Sequence, residues 1–481
     1  MSALETCVPV AVIGAGTMGA GIAQLAAQAG HPVLLFDAAG GAATQGRAKT
    51  AKGLERLVER GKMDRAEANG IMKRITVAEK IADIAPAGLV VEAIVENLDI
   101  KRKVLGELED IVAANAILAS NTSSISITSI ARDLQRPERF AGMHFFNPAP
   151  VMKLVEIVSG VATDASVAET LFDTGTAWGK VAVHAKSTPG FIVNRVARPF
   201  YAEALRLYEE QVADPATLDA LLVEGAGFRM GPFKLMDLIG HDVNYAVTRS
   251  IFEAYYADPR YRPSLSQLEL VNAGRLGRKS GRGFYDYTDG TETPSPGTQA
   301  VDAAARPFES LELTGESEID GVIVALTDGR TARQRAKETG KPAVLVDLVA
   351  EDGARRIGFT ASPDVSPAFI ARFVATLDGK ALAATRLPDW PGLVAMRTVC
   401  MLANEGFEAE MLGVANAQAI DDALRFGLNY PRGPIGWARA IGLPRVLGVI
   451  EAIHELTGDP RYRPSLALRF AASEVSNIPM Y

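Results

Sequence analysis

The apolar run Val8 to Ile13 leads directly into Gly14-Ala15-Gly16-Thr17-Met18-Gly19. A helical stretch, Ala20 to Ala29, follows, and the run from Val33 to Phe36 ends on Asp37. A glycine-rich turn alone constrains little. Set between a buried strand and a helix, with an acidic residue closing the next strand, it is the full fingerprint of a dinucleotide-binding βαβ unit. Gly14 permits the tight turn, Gly16 lets a pyrophosphate approach the backbone, and Gly19 lets the helix pack close to the strand. The N-terminus of that helix offers unpaired N–H groups and the positive end of the helix dipole to phosphate. Asp37 accepts hydrogen bonds from an adenosine ribose and repels a 2′-phosphate, which predicts NAD rather than NADP.

Further strands follow in the rhythm of an open α/β sheet. Gly88 to Ile94 and Ala116 to Ser120 are apolar runs separated by a helical segment, Leu98 to Val112, and they exit on Glu96 and on Asn121-Thr122-Ser123-Ser124 respectively. Ligands of such sheets lie beyond the carboxyl ends of the strands, so these side chains face the site. Ser123 and Ser124 are equally suited to cap a helix starting near Ile125. Arg139 to Asn147 reads as another strand carrying His144, and Val151 to Val158 carries Glu156. His144 lies among Phe145, Phe146 and Pro148, and the chain has only 5 histidines. A histidine oriented by a carboxylate moves a proton near neutral pH. A core histidine satisfied by a backbone carbonyl is the alternative that these residues leave open. The separation, 156 − 144 = 12 residues, suits neighbouring strands.

The 481 residues exceed one core; at about 150 residues per domain they predict three or four. A net charge of −7 argues against a nucleic-acid partner, while local basic groups can still hold an anion. Cys7 and Cys400 fit no metal or redox spacing, and neither do His31, His144, His184, His241 and His454, so no metal is expected. No N-terminal signal pattern and no apolar run of membrane-spanning length is present, which predicts a cytoplasmic protein without membrane association.

Thr188-Pro189-Gly190 interrupts the α/β pattern, and from Phe191 the chain reads as helices up to Tyr287. An internal repeat organises what remains. Asp258 to Leu265 recurs unchanged at Asp459 to Leu466, while Gly231-Pro232 aligns with Gly433-Pro434, Glu203 with Glu405 and Asp219 with Asp421 at an offset of 202 (405 − 203). The helical module is therefore duplicated. In the second copy Met396 stands opposite Asn194, and the counterpart of Lys279 falls at the extreme C-terminus, so that copy is expected to be structural. Between the copies, a Gly/Pro/Thr/Ser-rich stretch precedes short strands at 320–326, 343–347 and 355–359, with a helix at 331–339 and no GxGxxG.

The segments GAGTMGAGIAQ, SNTSS, GMHFFNPAPVMKLVEIV, STPGFIVNR, GPFKLMDLIG and GRKSGRGFYDY, in this order, resemble the NAD-dependent L-3-hydroxyacyl-CoA dehydrogenases, in the long bacterial form with a duplicated helical domain. The resemblance implies an α/β Rossmann-type NAD-binding domain at 1–187 and an all-α domain at 188–287. It further implies a linker at 288–319, a small reduced Rossmann-like α/β domain at 320–388 and a second all-α copy at 389–481. It implies reversible oxidation of a 3-hydroxyacyl-CoA thioester to the 3-oxoacyl-CoA, in fatty-acid or phenylacetate-type aromatic catabolism. Carried onto matching positions, His144 is the base, Glu156 its orienting partner, and Ser123 and Asn194 bind the substrate oxygen. Glu96, Lys101, Asn121, Ser123, Asn147 and Lys279 join Gly14, Gly16, Thr17, Met18, Gly19 and Asp37 around NAD. Lys52 and Arg56, one turn apart on a basic helix, suit the coenzyme A phosphates; a solvated basic face is the alternative. The helical domain forms the dimer interface in short members, so two copies in one chain predict an internal pseudo-dimer, with a homodimer possible beyond it. Two other readings remain open: an NAD dehydrogenase of a free hydroxy or sugar acid, and a non-catalytic NAD-binding protein. A dicarboxylic acyl chain would need a basic pocket residue, for which Arg198, Arg229 and Arg249 are candidates.

Overall fold

The computed structural model describes residues 2–476, which form two compact units: residues 2–193 with 413–428, and 194–412 with 429–476. The first unit is built on eight strands: β1 (Val10–Ile13), β2 (Val33–Phe36), β3 (Ile75–Val77), β4 (Leu89–Glu92), β5 (Ile117–Ser120), β6 (Phe140–Phe145), β7 (Leu154–Ser159) and β8 (Val181–Lys186). Their order is β3-β2-β1-β4-β5-β6-β7-β8. All neighbours are parallel except β6 and β7. The central strand β1 is apolar throughout, as a sheet covered on both faces requires; Val10 to Ile13 are all buried. Helices α1 (Thr17–Gln28), α2 (Ala42–Glu59), α3 (Arg65–Arg74), α4 (Leu98–Ile111), α5 (Ile127–Ala131) and α6 (Ala165–Ala177) complete the layers. Ile22, Leu25 and Ala26 of α1 share one core with Val10, Val33 and Val91 of the sheet.

In the second unit a short helix α7 (Val193–Val196), which begins at the unit boundary, is followed by α8 (Arg198–Glu209), α9 (Pro215–Ala220), α10 (Pro232–Ile239), α11 (His241–Ala254) and α12 (Leu265–Asn272). A five-stranded sheet follows: β9 (Glu316–Ile319), β10 (Val322–Leu326), β11 (Ala343–Val346), β12 (Arg356–Ala361) and β13 (Ala383–Arg386), with α13 (Ala332–Thr339) and α14 (Pro367–Asp378) between its strands. β9 lies inside the stretch expected to be linker, where Glu316–Ile319 pairs antiparallel with β10. The second helical copy supplies α15 (Ala395–Met411), α16 (Ala417–Leu428), α17 (Pro434–Ile441), α18 (Leu443–Thr457) and α19 (Leu466–Ser476).

One helix of the second copy packs outside the second unit. Residues 413–428, read as part of the second copy, belong to the first unit, where α16 packs on β7 and β8. In its repeat counterpart, residues 215–226, the π-turn that follows α9 packs on the small sheet at β12. The two copies of the module also exchange ion pairs. Arg195 donates from Nε to Glu405 Oε1 at 2.6 Å, and Arg397 donates from Nε to Glu203 Oε2 at 2.7 Å. Tyr261 and Tyr462 complete the pairs from equivalent positions, their hydroxyls 2.7 Å from Glu405 and 2.8 Å from Glu203. This reciprocity, residue i on j and j on i, is the signature of a two-fold interface, here within one chain.

Candidate active site

The glycine turn of the first unit is shaped by its own backbone. Gly14 has φ +101°, and a Cβ on Gly19 would stand 1.8 Å from the Gly14 carbonyl oxygen, so neither position admits a side chain. Gly16 differs: a Cβ there meets nothing within 4 Å. That position therefore leaves room for a ligand, and no side chain caps the α1 N-terminus behind it. Asp37 secures the turn, accepting from Ala15 N at 2.7 Å and Ala39 N at 2.9 Å, and remains partly exposed at the end of β2. An exposed Thr17, a half-buried Met18, open space at Gly16 and the β2 carboxylate together fit NAD.

Glu96 organises the loop beyond β5. Its Oε1 accepts from Thr122 Oγ1 (2.7 Å), Ser123 N (3.0 Å), Ser124 N (3.1 Å) and Ser124 Oγ (2.9 Å). Burial pushes its carboxyl up, but these donors and the Lys101 charge outweigh burial and hold it below the usual range. The cap of α5 is Ser126, not Ser123 or Ser124: its hydroxyl accepts from Ser129 N, while the two earlier serines turn to Glu96. Asn121 Oδ1 accepts from Phe145 N at 2.8 Å and so ties the β5 exit to β6. Lys101 is 1% exposed, its Nζ 2.7 Å from Glu92 and 3.3 Å from Glu96, so its ammonium is held between the two carboxylates. Glu92 and Ser120, which complete this buried cluster at 2.6 Å, carry no sequence signal that separates them from ordinary strand ends.

His144 and Glu156 face each other directly across the antiparallel β6–β7 pair. His144 Nδ1 lies 2.7 Å from Glu156 Oε2, with the histidine 5% and the glutamate 0% exposed. The other carboxylate oxygen, Oε1, accepts from Ile192 N and Val193 N, both at 3.0 Å. Glu156 is acceptor-only when ionised, so Nδ1 carries the proton and Nε2 keeps a free lone pair. The His144 ring is packed beside Phe146 and Phe191, at 4.5 and 5.9 Å between centroids. Lys180, unmarked by any motif, donates to Ala149 O (2.6 Å) and Met152 O (2.7 Å) and fixes the turn between the two strands.

The remaining expected residues are placed as follows. Asn147 is exposed at the β6 exit, and Lys52 and Arg56 are exposed on α2, in no ion pair among the described residues. Asn194 and Lys279 belong to the second unit, where Lys279 Nζ donates to Asp242 Oδ2 at 2.7 Å. The position matching Lys279 in the second copy lies outside the described residues. The other histidines are engaged elsewhere: His31 with the Val8 carbonyl, His454 with the Asp459 carbonyl and His184 with Glu169. His241 makes a 2.7 Å pair with Asp237, but at 0% exposure it is sealed from any substrate.

The small sheet repeats the strand directions of β5–β8 in β10–β13, and its register identifies what has replaced the dyad. Beyond the Val346–Phe359 pair, Asp347 N donates to Gly358 O, which puts Asp347 and Gly358 in the places of His144 and Glu156. Asp347 spends its carboxylate on Val394 N, Ala395 N and Met396 N, the start of the helix that matches Ile192 to Asn194. Burial raises it to about 6. The helix-holding task of Glu156 thus survives in the second copy while the imidazole does not.

A dinucleotide cradle and a histidine–carboxylate pair on one sheet edge define an NAD-dependent dehydrogenase. The family model for the 3-hydroxyacyl-CoA dehydrogenase NAD-binding domain matches residues 9–188. That for the C-terminal domain matches 190–287 and 392–475, and that for the 3-hydroxybutyryl-CoA dehydrogenase reduced Rossmann-fold domain matches 324–391. The chain is 45% identical to the 3-hydroxyadipyl-CoA dehydrogenase of Escherichia coli over 96% of both chains. It is 41% identical to human mitochondrial hydroxyacyl-coenzyme A dehydrogenase, over 58% of this chain and 90% of that one. The crystal structure of 3-hydroxybutyryl-CoA dehydrogenase from Escherichia coli superposes with a TM-score of 0.94 at 44% identity, over 99% of this chain and 100% of that one. The chain belongs to the 3-hydroxyacyl-CoA dehydrogenase family.

Proposed function

We propose that this chain oxidises short L-3-hydroxyacyl-CoA thioesters reversibly with NAD, and that His144 is the base. The 2.7 Å contact between His144 Nδ1 and Glu156 Oε2 carries the assignment. NAD held over the Gly14–Gly19 turn would supply the hydride acceptor. The hydroxyl proton passes to His144 Nε2, and Glu156 both holds the productive tautomer and stabilises the imidazolium; such help is worth about 10²–10⁴ in rate. Ser123 and Asn194 donate hydrogen bonds to the substrate oxygen as its bond order changes. Lys52 and Arg56 receive the coenzyme A phosphates, and Glu96, Asn147 and Lys279 the cofactor. Relatives are named for 3-hydroxyadipyl-CoA and 3-hydroxybutyryl-CoA, which supports an acyl chain of four to six carbons. The reciprocal Arg195–Glu405 and Arg397–Glu203 pairs support an internal pseudo-dimer in which only the first half is catalytic. Two free thiols, Cys7 and Cys400, suit the cytoplasm.

The test is NADH oxidation with acetoacetyl-CoA and, in parallel, with free acetoacetate. Saturable turnover that requires the coenzyme A moiety is the expected result. Equal turnover of the free acid, or none with any 3-oxoacyl-CoA despite tight NADH binding, overturns the proposal.

A further inference from the structure

The helical module of the second unit contains a cavity of about 640 Å³ along α8, α11 and the start of α12. Its volume falls in the range of small-molecule sites. The lining comes wholly from the second unit and includes neither Asn194 nor Lys279, the residues of that unit assigned above to substrate and cofactor. Leu205, Tyr245 and Phe252 give it apolar walls, and six arginines reach it. Arg206, Arg249, Arg260 and Arg262 each pair with a carboxylate, and Arg461 lies in the field of Glu203 and Asp459. Arg198 has no carboxylate partner among the described residues. It is 5% exposed, its Nη1 donates to Thr248 Oγ1 at 3.0 Å, and its Nε has no acceptor. Its guanidinium lies 4.9 Å from the Tyr201 ring, and burial pushes its pKa down. A buried charge without a counter-ion is costly, and a ligand that supplies the missing anion removes the cost. Five of the six cations are balanced by the protein and one is not, which calls for a single negative charge.

The repeat shows that this charge is not part of the scaffold. At the offset of 202, Arg195 is matched by Arg397, which makes the same interface pair. Gly240 and Gly442, also matched at that offset, share a φ of +99°, so the register holds into α11 and α18. Within this register Arg198 is matched by Cys400, its ring partner Tyr201 by Ala403 and its hydroxyl partner Thr248 by Ile450, and all three replacements are fully buried. The module therefore folds with an apolar set in place of the guanidinium, the ring and the hydroxyl. The charged set is confined to one copy, and it faces the cavity there.

We infer that this cavity is a second ligand site, for a small organic monoanion whose carboxylate pairs with Arg198 and whose apolar body lies against Leu205, Tyr245 and Phe252. The planar guanidinium binds a carboxylate in two parallel hydrogen bonds, and the apolar walls select an anion with a hydrocarbon body over an inorganic one. The site is separate from that of the thioester substrate.

The experiment is isothermal titration calorimetry of the full chain with sodium benzoate, which joins one carboxylate to an apolar body; inorganic phosphate is the control anion. Saturable binding of one benzoate per chain is expected, with an affinity unchanged by acetoacetyl-CoA added in the absence of NADH. Arg198→Cys/Thr248→Ile, which copies the second module, and Arg198→Met are each expected to bind benzoate more weakly by about tenfold or more. Without benzoate their thermal midpoints should equal or exceed that of the wild type, because an unpaired buried charge has been removed. Absence of saturable benzoate binding, equal affinity in the variants, or phosphate binding as tight as benzoate overturns the inference. An apparent Kd for benzoate that rises in proportion to acetoacetyl-CoA would place the anion in the substrate site and overturn it as well. Variants that fail to fold or melt below the wild type would make Arg198 part of the scaffold, with the same consequence.

Discussion

Glu156→Gln isolates the tautomer-setting role of the dyad from its packing role. The carboxylate accepts three hydrogen bonds, from His144 Nδ1 on one oxygen and from Ile192 N and Val193 N on the other. A glutamine has one acceptor oxygen. If its amide nitrogen faced the two backbone N–H groups, both would lose their acceptor at a buried site, at about 1–3 kcal/mol each. The oxygen therefore stays with Ile192 and Val193, and the NH₂ turns to His144. Nδ1 must then accept, the ring proton moves to Nε2, and the lone pair that receives the substrate proton is gone. The corresponding Asp-to-Asn change in serine proteases costs about 10⁴ in kcat for this reason, and a loss of about 10³–10⁴ is expected here by the same argument. Stability should fall by only about 1–3 kcal/mol, the difference between charged and neutral acceptors in these bonds. The assay is NADH oxidation with acetoacetyl-CoA, alongside thermal unfolding and NADH binding by fluorescence. A folded, NADH-binding Glu156→Gln protein that retains activity within tenfold of wild type would refute the tautomer argument.

Asn194→Ala should lower kcat by about 10²–10³ with little change in NADH affinity, if its amide meets developing charge on the substrate oxygen; steady-state kinetics decide it. Glu405→Ala leaves Arg195 buried without its partner and should destabilise the second unit by about 3–5 kcal/mol, read from denaturant unfolding. Burial lowers Lys180 to about 8, so the unfolded chain binds its proton more strongly than the native protein between that value and the ordinary lysine range. Its contribution to stability should rise with pH across that window, and Lys180→Met should remove this part of the pH dependence of unfolding.

The dinucleotide fingerprint was legible because each of its residues answers a local requirement: a positive φ at Gly14, close packing at Gly19 and an acid closing β2. Both dyad residues were legible as candidates, but their contact was not. Apolar runs do not encode strand direction, and only the antiparallel return of β7 sets His144 opposite Glu156. Serines 123, 124 and 126 are alike in sequence, and long-range hydrogen bonds to Glu96 decide which of them caps α5. The repeat was visible as an identical octapeptide, yet the placement of α16 on β7 and β8 depends on a partner hundreds of residues away. Lys101 and Arg198 show the same limit from opposite sides. Both are buried cations, and only the fold reveals that one meets two glutamates and the other, among the described residues, meets none.

Whether His144 is the proton acceptor for 3-hydroxyacyl-CoA oxidation is decided by stopped-flow NADH oxidation with saturating acetoacetyl-CoA in wild type and His144→Ala. NADH binding is expected to be unchanged and the single-turnover rate to be lower by about 10²–10⁴ in the variant. A His144→Ala protein that binds NADH and reduces acetoacetyl-CoA at a rate within tenfold of wild type would contradict it.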